Sequence, residues 1–410
     1  MVNQTMNTAS ARATPASRKI HSIELRLFGF AFAAAAALIC ACATQPPGTI
    51  ASGSVQWRTA AFSDLPGWDA DTLDDAWLPF VTGCSKLPSR TTSQTWRDIC
   101  AAATTSPRLD APAARAFFEQ HFSAYEMLAT EAGPRSLVTG YYEPLLHGRR
   151  ERDERYRYPL YASPQDLLVV DLSGLYPELS DKRLRGRLEG KRVVPYWTRA
   201  DIEAGKAAVA GRELVYVDDA LEAFLLQVQG SGRVELPDGR IVRLGYADQN
   251  GWPYRSIGRV LVERGELSLD QVSTQSIRQW AREHPQALPA LLAENPSYVF
   301  FREVTADPAA PIDGPIGTLG VALQAGRAIA VDARFIPLGA PVFVATTRPS
   351  SGKAMNRLML AQDTGGAIQG PLRIDWFWGF GEEAEREAGR MKQEGRIWML
   401  WPKGEPLLPR

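Results

Sequence analysis

From Leu137 onward the sequence is built of short apolar runs broken by Gly, Pro and Asp, a texture that indicates strands. One hairpin is explicit: residues 233–236 lead into Pro237-Asp238-Gly239, and the chain returns through residues 240–246. A capped helix is expected over residues 269–283, stopping before Pro285. Beyond it, residues 298–301, 328–332, 341–345, 358–362 and 397–401 read as strands of a compact β-rich C-terminal domain. Upstream, the stretch to about Ala132 reads mainly helical; Asp110 is the expected cap of a helix whose Phe118, Phe122 and Tyr125 recur at helical spacing and so belong to a core. The expected class is therefore α+β, mainly β with a helical N-terminal part.

The N-terminus bears on the compartment. Arg12, Arg18, Lys19 and Arg26 precede an uncharged run over residues 27–41, which reads as a signal peptide and is shorter than the roughly 20 apolar residues of a membrane-spanning helix. Its ending, Ile39-Cys40-Ala41-Cys42, resembles a bacterial lipobox with Cys42 as the lipidated residue; Cys40 fits less well, and an ordinary cleaved signal is the alternative. Ala43 after that cysteine favours outer-membrane sorting, by resemblance to lipoproteins that lack aspartate there. The expected location is the periplasm of a Gram-negative bacterium, with an acyl anchor holding the protein to a membrane. A Pro/Gly/Ser-rich tether follows, from Thr44 to about Ser54. Only Cys84 and Cys100 then remain, a pair that fits either a disulfide or two buried thiols.

Much chemistry is missing. Lys+Arg and Asp+Glu both number 46, so no global field favours nucleic acid. His21, His121, His147 and His284 are scattered singly, which supplies neither a zinc site nor a histidine-based triad. Residues 186–192 imitate a phosphate loop without its length or its Ser/Thr, and no Gly-x-Ser-x-Gly occurs. No metal and no cofactor is expected. Carboxylate chemistry is what remains.

Asp363 ends an apolar run and is followed by Gly365 and Gly366, which permit close backbone approach. Asp375 stands beside Trp376, Phe377 and Trp378, where desolvation by the rings would keep its carboxyl protonated and able to donate at neutral pH. Asp332 closes another strand and either serves the same region or caps a turn.

The blocks Gly314-Pro-Ile-Gly317-Thr-Leu-Gly320, Asp332-Ala-Arg334-Phe-Ile-Pro337-Leu-Gly339, Gln362-Asp363-Thr-Gly365-Gly366 and Ile374-Asp375 resemble the three-aspartate (3D) double-psi β-barrel domain. Val138-Thr139-Gly140-Tyr141-Tyr142-Glu143-Pro144, Gln227-Val-Gln229-Gly230-Ser231-Gly232, Gly245-Tyr246-Ala-Asp248 and Asn295-Pro-Ser-Tyr298 look like the membrane-bound lytic murein transglycosylase A family. The resemblance implies a double-psi barrel packed against a second, inserted β-barrel-like domain, with glycan in the groove between them. The organisation expected on this basis is a leader over residues 1–41, a tether over 42–56, a helical part of the main domain over 57–140, an inserted glycan-binding domain over 141–296, the barrel over 297–402 and a tail over 403–410. It also implies a lyase that cuts the β-1,4 bond between N-acetylmuramic acid and N-acetylglucosamine and leaves 1,6-anhydro ends, with peptidoglycan strands as partner. Asp375 is then the catalytic acid and Asp363 its close supporting neighbour. Related barrel proteins often carry His-Phe before this acid, whereas this chain has Arg373-Ile374, which leaves the acid intact and its local electrostatics open. Candidate groove contacts are Thr139, Tyr141, Tyr142, Gln229, Ser231 and Asp332, the tyrosines fitting a core role equally well. Two rival readings are an expansin-like protein that binds wall glycan without cutting it, and an aspartic protease built on Asp363-Thr364-Gly365, for which no second such motif exists.

Overall fold

The computed structural model describes residues 55–106, 108–129, 135–179, 184–305 and 312–407; the leader, Cys42 and most of the tether lie outside them. The described chain begins in a strand, β1 (Val55–Ala60), followed by α1 (Asp74–Cys84), α2 (Gln94–Thr105) and α3 (Ala111–His121). Ser93 caps α2 through the Trp96 amide and Asp110 caps α3 through the Ala113 amide, each satisfying a helix-end donor. A disulfide joins Cys84 at the end of α1 to Cys100 in α2. Closing so short a loop stabilises by about 3 kcal/mol in the chain-entropy account.

The helical spacing of Phe118, Phe122 and Tyr125 misleads at one point. Only Phe118 is on α3; Phe122 and Tyr125 belong to β2 (Phe122–Ala129). β2 pairs with β1 on one side and with the last strand of the chain on the other, and pairing on both sides overrides the local periodicity. Phe118 and Phe122 are both fully buried all the same, packed with Phe80 and Trp77 around one core. β3 (Ser136–Glu143) follows, and there the chain leaves this sheet.

The excursion contains β4 (Leu145–Arg149), β5 (Tyr158–Tyr161), β6 (Leu168–Val169), β7 (Arg185–Glu189), β8 (Arg192–Pro195), β9 (Glu213–Val217), β10 (Ser231–Glu235), β11 (Ile241–Gln249) and β12 (Val299–Glu303). Six of these strands form a sheet in the order β12-β11-β10-β4-β9-β5, and a bridge from Ala162 to Phe301 draws its two ends together. Leu146, Leu160, Val215, Val234, Leu244 and Phe301 fill the core of this barrel-like insert. The expected hairpin is β10–β11, with Gly239 at φ +79° in its turn. Among its described residues five α-helices are interspersed, α4 (Arg199–Glu203), α5 (Ala220–Gln229), α6 (Ile257–Glu263), α7 (Thr274–Glu283) and α8 (Leu288–Ala293). The helix expected from residue 269 starts only at Thr274, because Ser273 and Ser276 form a reciprocal cap there.

The chain then returns to the first sheet as β13 (Ala328–Val331), β14 (Pro341–Thr347), β15 (Ala354–Asp363), β16 (Arg373–Phe380), α9 (Glu382–Ala388) and β17 (Lys392–Pro402). Six strands close a ring, β17-β14-β15-β13-β16-β3, because β17 pairs with β3 as well as with β14; β2 and β1 extend the sheet outward from β17. This is the double-psi β-barrel, and it takes one strand from before the insert and five from after it. In β16, Ile374 and Trp376 enter the main core while the other face carries Arg373, Asp375 and Phe377, the last packed with Tyr141, Ala328 and Ala330. No helix among the described residues is long and apolar enough to cross a membrane.

Candidate active site

Strand register assembles the site. Thr139 of β3 lies opposite Asp375 of β16, Asp375 lies opposite Ala330 of β13, and Ala330 lies opposite Asp363 of β15. Residues opposite one another in a sheet project to the same face, so these four make one row across four adjacent strands. At about 4.8 Å per strand, the two acids stand on the order of 10 Å apart at their Cα atoms with the small Ala330 between them. A bulge sets the end of the row. Ile329 is opposite Ala361, but the next residue, Ala330, is opposite Asp363, so Gln362 is passed over. Without that extra residue the ladder would place Gln362 in the row and turn Asp363 to the other face. Gln362 instead goes inward, 1% exposed, and its Nε2 donates to the Pro79 carbonyl.

The face that carries the row lines a cleft of about 560 Å³ between barrel and insert. Both carboxyl groups are half-buried and burial raises the pKa of each. Their partners then separate them. Asp363 accepts from the Thr318 amide at 2.9 Å, from Thr318 Oγ1 at 2.9 Å and from the Tyr141 hydroxyl at 3.1 Å, with the Thr364 amide as a further donor. Asp375 receives one such bond, from Thr139 Oγ1 to Oδ1 at 2.5 Å; Arg373 pulls its pKa down and the charge on Asp363 pushes it up. A carboxylate offers roughly four lone-pair positions, so Asp363 is saturated as an anion and the proton belongs on Asp375. Tyr141, its own pKa raised well above the usual value by burial and by the two acids, remains a donor.

The aromatic neighbours of Asp375 act differently from the sequence expectation. Trp376 points to the opposite face of β16, into the main core, and Trp378 packs against Arg348 and Met391. Phe377 and Tyr141, both on the cleft-side apolar cluster, are the rings near the acid.

The insert supplies the facing wall where α5 gives way to β10. Asp219 caps α5, Gly230 ends it at φ +82°, and Gln229 and Ser231 flank that glycine at the cleft. Gln229 Oε1 accepts from the Tyr142 amide at 3.0 Å, tying the insert wall to the barrel strand β3. Arg185 and Asp248, paired at 2.8 Å, and Arg302, which donates to the Tyr246 carbonyl, line the same wall. Of the residues singled out in the sequence, Asp375, Asp363, Thr139, Tyr141, Gln229 and Ser231 meet in this cleft. Two do not. The Tyr142 side chain packs with Ala384 and Ala388 of α9, and Asp332 spends its carboxylate on Arg334 and on the Arg334 and Gly370 amides, bracing the loop that precedes β16. Thr318 was missed as a residue although its motif was noted. The neighbouring Gly317 shows the signal, since a Cβ there would meet the Gln362 carbonyl oxygen at 2.6 Å. Among the described residues no group of His, Cys, Asp and Glu is arranged to hold a metal ion. The aspartic-protease geometry is also missing, because Ala330 stands between the two acids that would have to share a proton.

Residues 137–302 match the MltA specific insert domain and residues 327–401 match the 3D domain. The membrane-bound lytic murein transglycosylase A of Escherichia coli K12 is 34% identical over 270 residues, a match that covers 64% of each chain. A crystal structure of MltA from Neisseria gonorrhoeae is 40% identical, covers 88% of this chain and 97% of its own, and superposes with a TM-score of 0.72. A crystal structure of E. coli MltA with bound chitohexaose is 27% identical, covers 81% of this chain and 91% of its own, and gives a TM-score of 0.60.

Proposed function

The chain belongs to the membrane-bound lytic murein transglycosylase A family, and from that premise we propose that it cleaves peptidoglycan between N-acetylmuramic acid and N-acetylglucosamine with closure of a 1,6-anhydro ring on the muramyl residue. The observation that carries this reading is the row of Thr139, Asp375, Ala330 and Asp363 facing the cleft. Hydrolytic glycosidases use two working carboxyl groups, one as acid and one to attack or to activate water. Here only one is available, since Asp363 is fully occupied by donors. A single acid is enough when the substrate carries its own nucleophile. Asp375 gives its proton to the glycosidic oxygen as the bond from that oxygen to muramyl C1 breaks. Its carboxylate then takes the proton of the C6 hydroxyl as O6 bonds to C1. The acid is regenerated, no water is consumed, and proximity supplies what a second catalytic group would otherwise supply.

Asp363 is the fixed negative charge that keeps the proton on Asp375. Tyr141 holds Asp363 and lines the cleft, while Gln229, Ser231, Arg185 and Arg302 offer donors and acceptors to sugar hydroxyls and acetamido groups along the insert wall. The enzyme works at a membrane of the Gram-negative envelope, in line with the membrane-bound relatives, and Cys42 in the periplasm carries its acyl anchor. Mass spectrometry of murein sacculi digested by the unlipidated protein tests the reading. Anhydromuramyl products from wild type and none from Asp375→Asn are expected; reducing-end products would make it a hydrolase, and glycan binding without cleavage would make it an expansin-like binder.

A further inference from the structure

Arg373 enters the cleft two residues before the acid, at the position where this chain departs from the His-Phe of related barrels. Its Nη1 donates to Thr139 Oγ1 at 2.7 Å, to the Ile374 carbonyl at 3.1 Å and to the Leu137 carbonyl at 3.3 Å. Those two carbonyls lie on neighbouring paired strands, β16 and β3, so the guanidinium is held by the barrel frame itself. A hydroxyl has one proton to give. A guanidinium can only donate, so Thr139 Oγ1 must accept from Arg373, and its single proton is left for the oxygen on its other side, Asp375 Oδ1 at 2.5 Å. Oδ1 is thereby committed as an acceptor.

We propose that Arg373 and Thr139 form a one-way hydroxyl relay that fixes the transferable proton on Oδ2 of Asp375. Both are positioning residues, and Thr139 serves the acid rather than the glycan. In the first half-reaction the Oδ2–H bond breaks as the proton passes to the glycosidic oxygen; in the second, the same Oδ2 takes the proton from the C6 hydroxyl. One oxygen thus does both transfers without rotation of the carboxyl group, and the relay keeps its direction throughout. The charged and titratable groups around Asp375 are Arg373 on its own strand, Asp363 two strands away and Tyr141 on β3, with the exposed Lys392 of β17 opposite Thr139.

This proposal rests on Asp375 as the acid, so Asp375→Asn is measured beside the relay variants. Thr139→Val keeps the side-chain shape and removes the hydroxyl; Arg373→Met removes the donor that orients it; Thr139→Ser restores the relay. Turnover on soluble glycan strands is followed as kcat and KM across pH. Expected for Thr139→Val and Arg373→Met is a fall in kcat of about tenfold, with KM little changed, the size that loss of alignment in a proton-transferring group produces. Both substitutions take away an influence that favours the carboxylate, so the loss of activity toward high pH should move to higher pH in each, and Thr139→Ser should return both rate and limb to wild type. Partial loss of folded protein lowers the amplitude of such a profile without moving its limb. An unmoved limb in both variants, or an effect confined to KM, would overturn the relay and return Thr139 to glycan contact. Residual turnover by Asp375→Asn would instead remove the acid assignment beneath it.

Discussion

On the barrel wall of the cleft Asp375 and Ala330 sit inside strands paired on both sides, whereas on the insert wall the polar groups cluster where a helix stops and a strand starts. Asp375 is flanked by ladders to β3 and β13, and Ala330 by ladders to β16 and β15. Gln229, Gly230 and Ser231 occupy the junction of α5 and β10, held by the helix C-cap at Gly230, by the Tyr142 amide that donates to Gln229 Oε1 and by the pairing of Ser231 with Gly245 of β11 on one side. Register fixes a side chain to a fraction of an ångström, as acid chemistry requires; a junction can shift slightly, as grip on a polymer tolerates. If the barrel wall cuts and the insert wall holds, as proposed, the two are expected to fail in different ways.

The largest contrast should come from Ala330→Leu. The added side chain enters the gap between Asp363 and Asp375, and turnover should fall by about a hundredfold or more, with an overpacking cost of roughly 1–3 kcal/mol visible in chemical denaturation. Near-normal turnover would show that the row is not where the bond is cut. On the other wall, Gln229→Ala removes a proposed glycan contact made in ground state and transition state alike, so KM should rise several-fold, about 1 kcal/mol in binding, with kcat kept. A matching fall in kcat would erase the division of labour between the walls. The smallest effect is one of stability. Burial raises the Asp375 pKa above that of the unfolded chain, so the native state binds this proton more tightly. Its contribution to stability is complete below the ordinary carboxyl pKa and is lost as pH rises through the raised native value. Asp375→Asn, which cannot ionise, should therefore melt above wild type on the alkaline side, with the gap closing as pH is lowered; a gap that widens toward acid would mean a depressed pKa.

How much of this was legible in the sequence depended on the range of the forces involved. The hairpin at residues 237–239 and the cap at Asp110 are local, written in a few adjacent residues, and could be read directly, whereas the helix expected from residue 269 begins five residues later behind Ser273. The strand identity of Phe122 and Tyr125 was hidden because it comes from partners at each end of the chain. Asp363 and Asp375 stood out by composition and by family resemblance, yet nothing in the sequence shows that Ala330 is the residue between them or that a skipped Gln362 aims one of them. The three aromatics after Asp375 suggested a common hydrophobic wall, which strand alternation divides: Trp376 goes to the other side of the sheet. Asp332 looked equal to the other acids and braces a loop instead.

The barrel is a ring whose first strand is synthesised well before the rest. Thr139 and Asp375 are 236 residues apart, and β17, which locks the ring onto β3, is the last strand of the described chain. A polypeptide that emerges in order has no acid row until nearly all of it is made, and a product truncated before β17 lacks a strand that pairs with β3. If the proposed cleavage holds, an unfinished chain lacks the means to cut, and the activity arrives only with the last strand of the ring.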